Sequence, residues 1–224
     1  VIATPRTGIR NVLLDLDGTL VDPRQGFVNS VEYALVRLGV EPPPADRIAS
    51  HIGPPLGETL ALLLGDTHGD RVQDAIGLYR ERYVDTGIFE TELYPGIPEA
   101  LHAIAESGAR ICLATSKPTV YARQILEHCG LASLFHGIYG SELDGTRADK
   151  RKLLAHLLEQ EDMDPMDAIM VGDRAQDIRA ARVNGMASLG VLWGYGSEEE
   201  LWGAEADGVV AVTTELAISV MRGE

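Results

Sequence analysis

The sequence predicts an α/β fold, a parallel sheet covered by helices and interrupted near its start by an all-helical segment. Three observations carry this expectation. From Tyr94 onward, short apolar runs alternate with segments of helical periodicity, the pattern of parallel strands buried on both faces. Asn11–Leu16 (NVLLDL) is one more such run, ending in Asp15, Asp17 and Gly18 as a strand stops at a polar turn. Between them, over about residues 22–93, apolar residues recur only at helical spacing and are separated by proline and glycine breaks. The expected organisation is therefore a core domain of residues 1–21 and 94–224 and a helical domain of residues 22–93.

Within the insertion, Phe27, Val28, Val31, Ala34, Leu35 and Leu38 share a helix face that Gly39 closes. Pro42, Pro43 and Pro44 break the chain, and a short helix precedes Gly53-Pro54-Pro55. Leu56–Leu64 forms a third helix and about Arg71–Thr86 a fourth, with Val72, Ala75, Ile76, Tyr79 and Tyr83 on one face. After Tyr94-Pro95-Gly96 the expected order is helix Ile97–Ser107, strand Arg110–Thr115, helix Thr119–Cys129 and strand Gly137–Tyr139. Helix Lys150–Glu161, strand Ala168–Val171, helix Ala175–Asn184 and strand Ala187–Val191 complete it. In such sheets ligands sit beyond the carboxyl ends of the strands, where Asp15/Asp17, Thr115/Ser116 and Gly172/Asp173 fall.

Composition narrows the function class. The 224 residues carry 34 Asp plus Glu against 19 Lys plus Arg, a net charge of −15, which argues against an electrostatic grip on nucleic acid or anionic lipid. No stretch approaches the ~18 uninterrupted apolar residues of a membrane span. Val1–Arg10 lacks the apolar stretch of a secretory signal, and two cysteines, Cys112 and Cys129, fit a reduced, cytoplasmic setting.

Four clusters carry chemistry. Asp15 and Asp17, two apart on a strand end, present both carboxylates to one side, while Gly18 lets the backbone turn away; an ordinary polar turn is the plain alternative. Thr115-Ser116-Lys117-Pro118 joins a strand to a helix, where a hydroxyl and free N–H groups form an anion site, or simply a helix cap. Lys150 opens a helix against its dipole, which a purely structural role does not explain. Asp173 follows a strand and Asp177 lies one helical turn on; such oxygen ligands suit magnesium, or else cap a helix.

The order carboxylate pair, hydroxyl, lysine, carboxylate pair resembles the haloacid dehalogenase superfamily over about residues 9–216. Asp15–Leu20 is similar to its first motif, Thr115 and Ser116 to the second, Lys150 to the third and Gly172–Asp177 (GDRAQD) to the fourth. The helical insertion resembles that superfamily's C1 cap on a Rossmann-like core. Leu93-Tyr94-Pro95-Gly96, Asn184-Gly185 and Gly194-Tyr195-Gly196 resemble its phosphoglycolate phosphatase-like branch. Ser141–Lys150 (SELDGTRADK) is similar to members known as 5′-nucleotidases, and Ser116 stands where many relatives have Asn.

The resemblance implies a magnesium-dependent phosphatase acting on a small phosphomonoester, phosphoglycolate or a 5′-nucleotide, through an aspartyl-phosphate. Asp15 is then the nucleophile and Asp17 the acid and base. Thr115, Ser116 and Lys150 bind the phosphoryl group; Asp15, Asp173 and the backbone carbonyl of Asp17 hold the metal, with Asp177 behind them. The dehalogenases of the superfamily lack a proton donor at the position of Asp17, which favours phosphate chemistry. The cap turn at His51–Leu56 faces the active site in the resembling family, so Arg24, Arg47, His51 and Gly53 are candidate substrate contacts, with hinges near Val21–Pro23 and Leu93–Gly96.

Other residues take the plain reading. His51, His68, His102, His128, His136 and His156 show no metal-ligand spacing, Glu198–Glu200 read as a solvated helix start, and Trp193 and Trp202 as packing. A phosphomutase is the enzymatic alternative. A phospho-acceptor receiver module places its aspartate mid-chain and has no cap, and a partner-binding pseudo-enzyme is opposed by the intact motifs. Monomer is the default state and a homodimer the alternative.

Overall fold

In the computed structural model, residues 8–65 and 69–221 are described. His68 lies outside them, as do residues 1–7 of the expected core domain. The chain divides into two units, one holding the described residues up to Val21 and from Leu93 onward, the other Asp22–Glu92. The division falls in a ribbon of two-residue strands, Val21–Asp22 and Glu92–Leu93.

The first unit begins with strand β1 (Asn11–Leu14), buried along its whole length as a central parallel strand requires. In the second unit α1 (Arg24–Arg37) packs on α2 (Ala45–Ala49) and on α4 (Asp70–Asp85), which also receives α3 (Leu56–Leu64). Phe27 meets Tyr79 edge-on and Tyr79 stacks on Tyr83 at 5.1 Å between ring centroids, giving the helix pair an aromatic seam. Arg82 forks onto Glu90 at 2.8 and 2.9 Å, and Asn29 donates to the same carboxylate, tying α4 and α1 to the segment that ends the unit.

Back in the first unit, α5 (Ile97–Glu106) leads to β2 (Arg110–Pro118), α6 (Thr119–His128) and β3 (Gly137–Ser141). Then α7 (Lys150–Gln160), β4 (Ala168–Gly172), α8 (Ala175–Val183) and β5 (Ala187–Val191) follow. The chain ends in α9 (Glu198–Gly203), β6 (Gly208–Val210) and α10 (Leu216–Met221). The strands form one parallel sheet of six in the order β3-β2-β1-β4-β5-β6, with Leu14 opposite Leu113 on one side and Val171 on the other. Leu13, Cys112 and Met170 point to one face, where Leu154, Leu157 and Leu158 of α7 and Ala180 and Ala181 of α8 close the core. Their strand neighbours Val12, Leu14, Ile111 and Leu113 point to the opposite face and are buried there.

The two-residue ribbon, α10, β6 and the far end of β2 lie outside what periodicity signals. β6 is a three-residue edge strand, too short to display alternation. β2 runs three residues past Thr115, with a register shift against β3 between Ala114 and Pro118, so the backbone stays extended up to Pro118, the residue before α6. Among the described residues no helix is long and apolar enough to cross a membrane. Leu13 is fully buried at the centre of the sheet, so Leu13→Ala is expected to cost about 2–5 kcal/mol, read as a lower denaturant midpoint at unchanged m-value.

Candidate active site

β1 and β4 are parallel neighbours, yet the chain leaves them in opposite directions across the sheet, from β1 toward β2 and β3 and from β4 toward β5 and β6. Such a switch point opens a crevice at the carboxyl ends of the strands. Asp15 and Asp173 are the residues that directly follow these two strands. The Asp15 N–H donates to the Val171 carbonyl at 2.9 Å, extending the ladder one residue and fixing where the Asp15 side chain starts.

Asp177 reaches the same place from the first turn of α8. Its Oδ2 accepts the Arg174 N–H at 3.0 Å, which satisfies one open donor of the helix start and turns the carboxyl back over β4. Residue 172 must be glycine there, because a Cβ would fall 2.2 Å from Asp177 Cγ. One oxygen each of Asp15, Asp173 and Asp177 lies within 4.8 Å of the others, and all three residues are buried.

Lys150, the first residue of α7, is buried among them. Its Nζ stands 2.8 Å from Asp15 Oδ1 and 2.5 Å from Asp177 Oδ1. The cost of a cation at a helix N-terminus is outweighed by two carboxylates at contact distance. Burial disfavours the ammonium charge, but Asp15 and Asp177 together hold Lys150 above the ordinary lysine range.

The carboxylates respond differently. Burial, then repulsion from Asp177 and Asp15, pushes Asp173 well above the ordinary carboxylate range, against the pull of the Tyr195 N–H, which donates to its Oδ2 at 2.8 Å. Burial raises Asp177 to about 6 although Lys150 opposes it. Asp17 is raised by burial too, with Lys117 pulling it back; the Lys117 ammonium lies 2.8 Å from both of its oxygens.

Thr115, buried at the bulge of β2, accepts the Lys117 N–H on Oγ1 at 3.2 Å, so its own hydroxyl proton remains for another acceptor. Ser116 donates weakly to Ala148 at 3.4 Å, and its carbonyl accepts Ser141 Oγ at 2.9 Å, linking β2 to β3 and to the approach of α7.

Sequence reasoning missed the wall built by residues 193–200. Trp193 Nε1 donates to the Thr19 carbonyl at 2.9 Å, and a Cβ on Gly194 would fall 2.2 Å from the Gly18 carbonyl and 2.5 Å from Asp173. Gly18, at φ +83°, would itself drive a Cβ to 2.2 Å from Asp173 Oδ2, so two glycines allow both loops to close on that carboxyl. Glu200, expected only in a solvated helix start, accepts the Ala175 N–H at 2.8 Å and pairs with Arg174 at 3.0 Å, capping α8. The helix-start pattern of Glu198–Glu200 gave no hint that one of them serves a different helix.

Arg24, Arg47, His51 and Gly53 belong to the other unit. Arg24 is ion-paired to Asp46 on α2, Arg47 is exposed on that helix, the His51 carbonyl accepts Thr59 Oγ1 at 3.3 Å, and Gly53 sits at φ +113° in the turn before α3.

The acidic cluster suits a hard divalent cation. It offers only oxygen donors, and Asp173 Oδ1 is buried with no hydrogen-bond partner among the described residues, a desolvated charge that a cation would satisfy.

Known proteins resemble the chain over most of its length. The family model for haloacid dehalogenase-like hydrolases matches residues 12–191. A 5′-nucleotidase from Pseudomonas aeruginosa is 46% identical over 191 residues, 85% of this chain and 86% of that protein. The tyrosine-protein kinase PtkA of Mycobacterium tuberculosis is 38% identical over 87% of this chain, which spans 66% of that protein's length. The crystal structure of a predicted phosphatase from Clostridium acetobutylicum superposes with a TM-score of 0.90 at 37% identity, covering 95% of this chain and 99% of that one.

The raised Asp173 has a measurable consequence in chelator-treated protein. A carboxyl whose folded pKa exceeds its unfolded value contributes stability that is complete below the unfolded pKa and lost as pH rises through the folded one. Asp173→Asn removes that loss, so its Tm should exceed wild type at pH 7, by roughly 2–4 °C per kcal/mol regained, and converge with it near pH 3.5.

Proposed function

The chain belongs to the haloacid dehalogenase-like hydrolases and is a phosphatase of that family; from that premise we propose that it uses magnesium to hydrolyse a small phosphate monoester through a phosphoryl group carried on Asp15. The observation that carries this reading is the buried cluster of Asp15, Asp173 and Asp177 around Lys150 at the switch point of the sheet.

Lys150 holds Asp15 Oδ1, which leaves Oδ2 to attack phosphorus. As that bond forms, the ester P–O bond breaks and Asp17 gives its proton to the departing oxygen. Water then attacks the phosphorus of the aspartyl-phosphate while Asp17 takes the water's proton, freeing inorganic phosphate and restoring the Asp15 carboxylate. The raised Asp17 suits a group that must be protonated in the first half and ionised in the second. Lys150 donates to Asp177 and stands 2.8 Å from Asp15 Oδ1, and a proton of its ammonium is kept for a phosphoryl oxygen; the Thr115 hydroxyl and Ser116 supply further donors.

Asp15, Asp173 and the backbone carbonyl of Asp17 would hold the magnesium, with Asp177 orienting them through Lys150 and the start of α8. Bound there, the ion supplies neutralisation of negative charge between carboxylate and phosphate.

The Asp22–Glu92 unit, inserted a few residues after Asp17, is assigned as the cap that sets specificity, with Arg24, Arg47, His51 and Gly53 as its contacts. The similarity to a 5′-nucleotidase supports a nucleoside monophosphate, with phosphoglycolate as the alternative. The relation to PtkA favours one second reading, in which the phosphoryl group passes to an acceptor other than water, as in a mutase or kinase. Both cysteines are free, consistent with the reducing cytoplasm.

The test is phosphate release from 5′-nucleotides, phosphoglycolate, sugar phosphates and an aryl phosphate, with magnesium and with chelator. Turnover should require magnesium, and Asp15→Asn should lower kcat by at least about a thousandfold. Magnesium should also raise the Tm of wild type more than that of Asp173→Asn. Silence across the panel combined with labelled phosphate appearing on an organic acceptor would replace the phosphatase reading by the second one.

A further inference from the structure

Lys117 is absent from the catalytic roles above, yet it makes the closest contact of any charged group to Asp17 among those described. Its ammonium lies 2.8 Å from both carboxylate oxygens, and the pair is sheltered, with side-chain exposures of 10% and 17%. One cation across two oxygens occupies one side of the carboxylate and leaves lone pairs on the other side of each oxygen.

Both stems are anchored. The Lys117 N–H is held by Thr115 Oγ1 at 3.2 Å, and the Lys117 carbonyl packs on Gly140, where a Cβ would fall at 2.4 Å. The segment is the bulge of β2, where five residues of that strand (Ala114 to Pro118) stand against three of β3 (Tyr139 to Ser141). Bulges re-aim side chains at the edges of sites. Asp17 is held by its bridge to Val21 and by the Gly18 N–H donating to the Val21 carbonyl at 2.8 Å. A sheltered ion pair is a poor source of stability, because desolvation consumes most of its attraction. A pair built from a bulge and a glycine-backed carbonyl therefore calls for another reason.

We propose that Lys117 is a positioning residue that fixes the carboxylate of Asp17 in the orientation needed for proton transfer to the departing oxygen. The assignment rests on the reading of Asp17 as acid and base and deepens it. Lys117 itself does not touch the phosphoryl group. Its influence is confined to the step in which the leaving group departs, and it scales with how much that group needs a proton.

The experiment compares wild type, Lys117→Met, Lys117→Arg and Asp17→Asn on a series running from alkyl phosphates to nitrophenyl and dinitrophenyl phosphates. The quantity read is kcat/KM, which reports steps up to ester cleavage. Lys117→Met is expected to lose about a hundredfold on alkyl phosphates and little on dinitrophenyl phosphate, whose leaving group needs no proton. Lys117→Arg should recover part of the loss, and Lys117→Met added to Asp17→Asn should cost almost nothing further. A loss uniform along the series would make Lys117 a phosphate ligand and overturn the proposal, as would no loss, or full additivity with Asp17→Asn. If Lys117→Met does not fold by circular dichroism, Lys117→Gln takes its place in the same comparison. Failure of the premise looks different: wild type shows no turnover, or Asp17→Asn loses equally on every ester, and the assignment falls with it.

Discussion

One buried ammonium makes the rest of this site affordable. Asp15, Asp173 and Asp177 are taken out of water together, and three neighbouring carboxylates could not all remain ionised there without a compensating charge. Lys150 supplies it to two of them, Asp15 and Asp177, while Asp173 is left with the Tyr195 N–H and an oxygen that has no hydrogen-bond partner among the described residues. The charge balance is thus incomplete by design of the fold. What remains uncompensated is concentrated on the one carboxylate whose loops, Gly18–Thr19 and Trp193–Gly196, close around it without a side chain to spare.

That arrangement makes the site a property of backbone placement more than of flexible side chains. Asp15 and Asp173 are delivered by adjacent strands in register, Asp177 by a helix start, and Lys150 by a helix whose preceding Asp149 accepts the Arg151 N–H. Glu200 secures the start of α8 from a distance in sequence, so the position of Asp177 depends on a helix that holds none of the acidic cluster. Such support fixes the geometry of the cluster through the backbone.

How much of this was legible in the sequence depended on range. The strands that end in Asp15 and Asp173 announce themselves because a fully buried parallel strand is a continuous apolar run, and the helices because an amphipathic period survives over ten residues. Their convergence was readable too, since strand ends in such a sheet point to one edge. The salt bridge of Lys117 to Asp17, the cap donated by Glu200 and the closure by Gly194 were not, because each joins segments far apart in sequence through a contact that leaves no local period. Lys117 stood inside a segment singled out for its hydroxyls, and a bulge changed which side chains that segment presents. β6 and the two-residue ribbon failed to appear for a plainer reason: two or three residues are too few to carry any repeat.

The order of strands has a consequence for how the chain reaches this state. β1 is made first, yet both of its neighbours come late, β2 beginning at Arg110 and β4 at Ala168. During synthesis from the N-terminus, the Val-Leu-Leu segment that leads into Asp15 therefore waits, apolar and unpaired on both edges, until most of the polypeptide has emerged. The intervening Asp22–Glu92 helices can pack among themselves meanwhile. Maturation of the sheet is thus a closing event that captures the oldest strand between two of the younger ones, and Asp15 reaches its place in the acidic cluster only when that capture is complete.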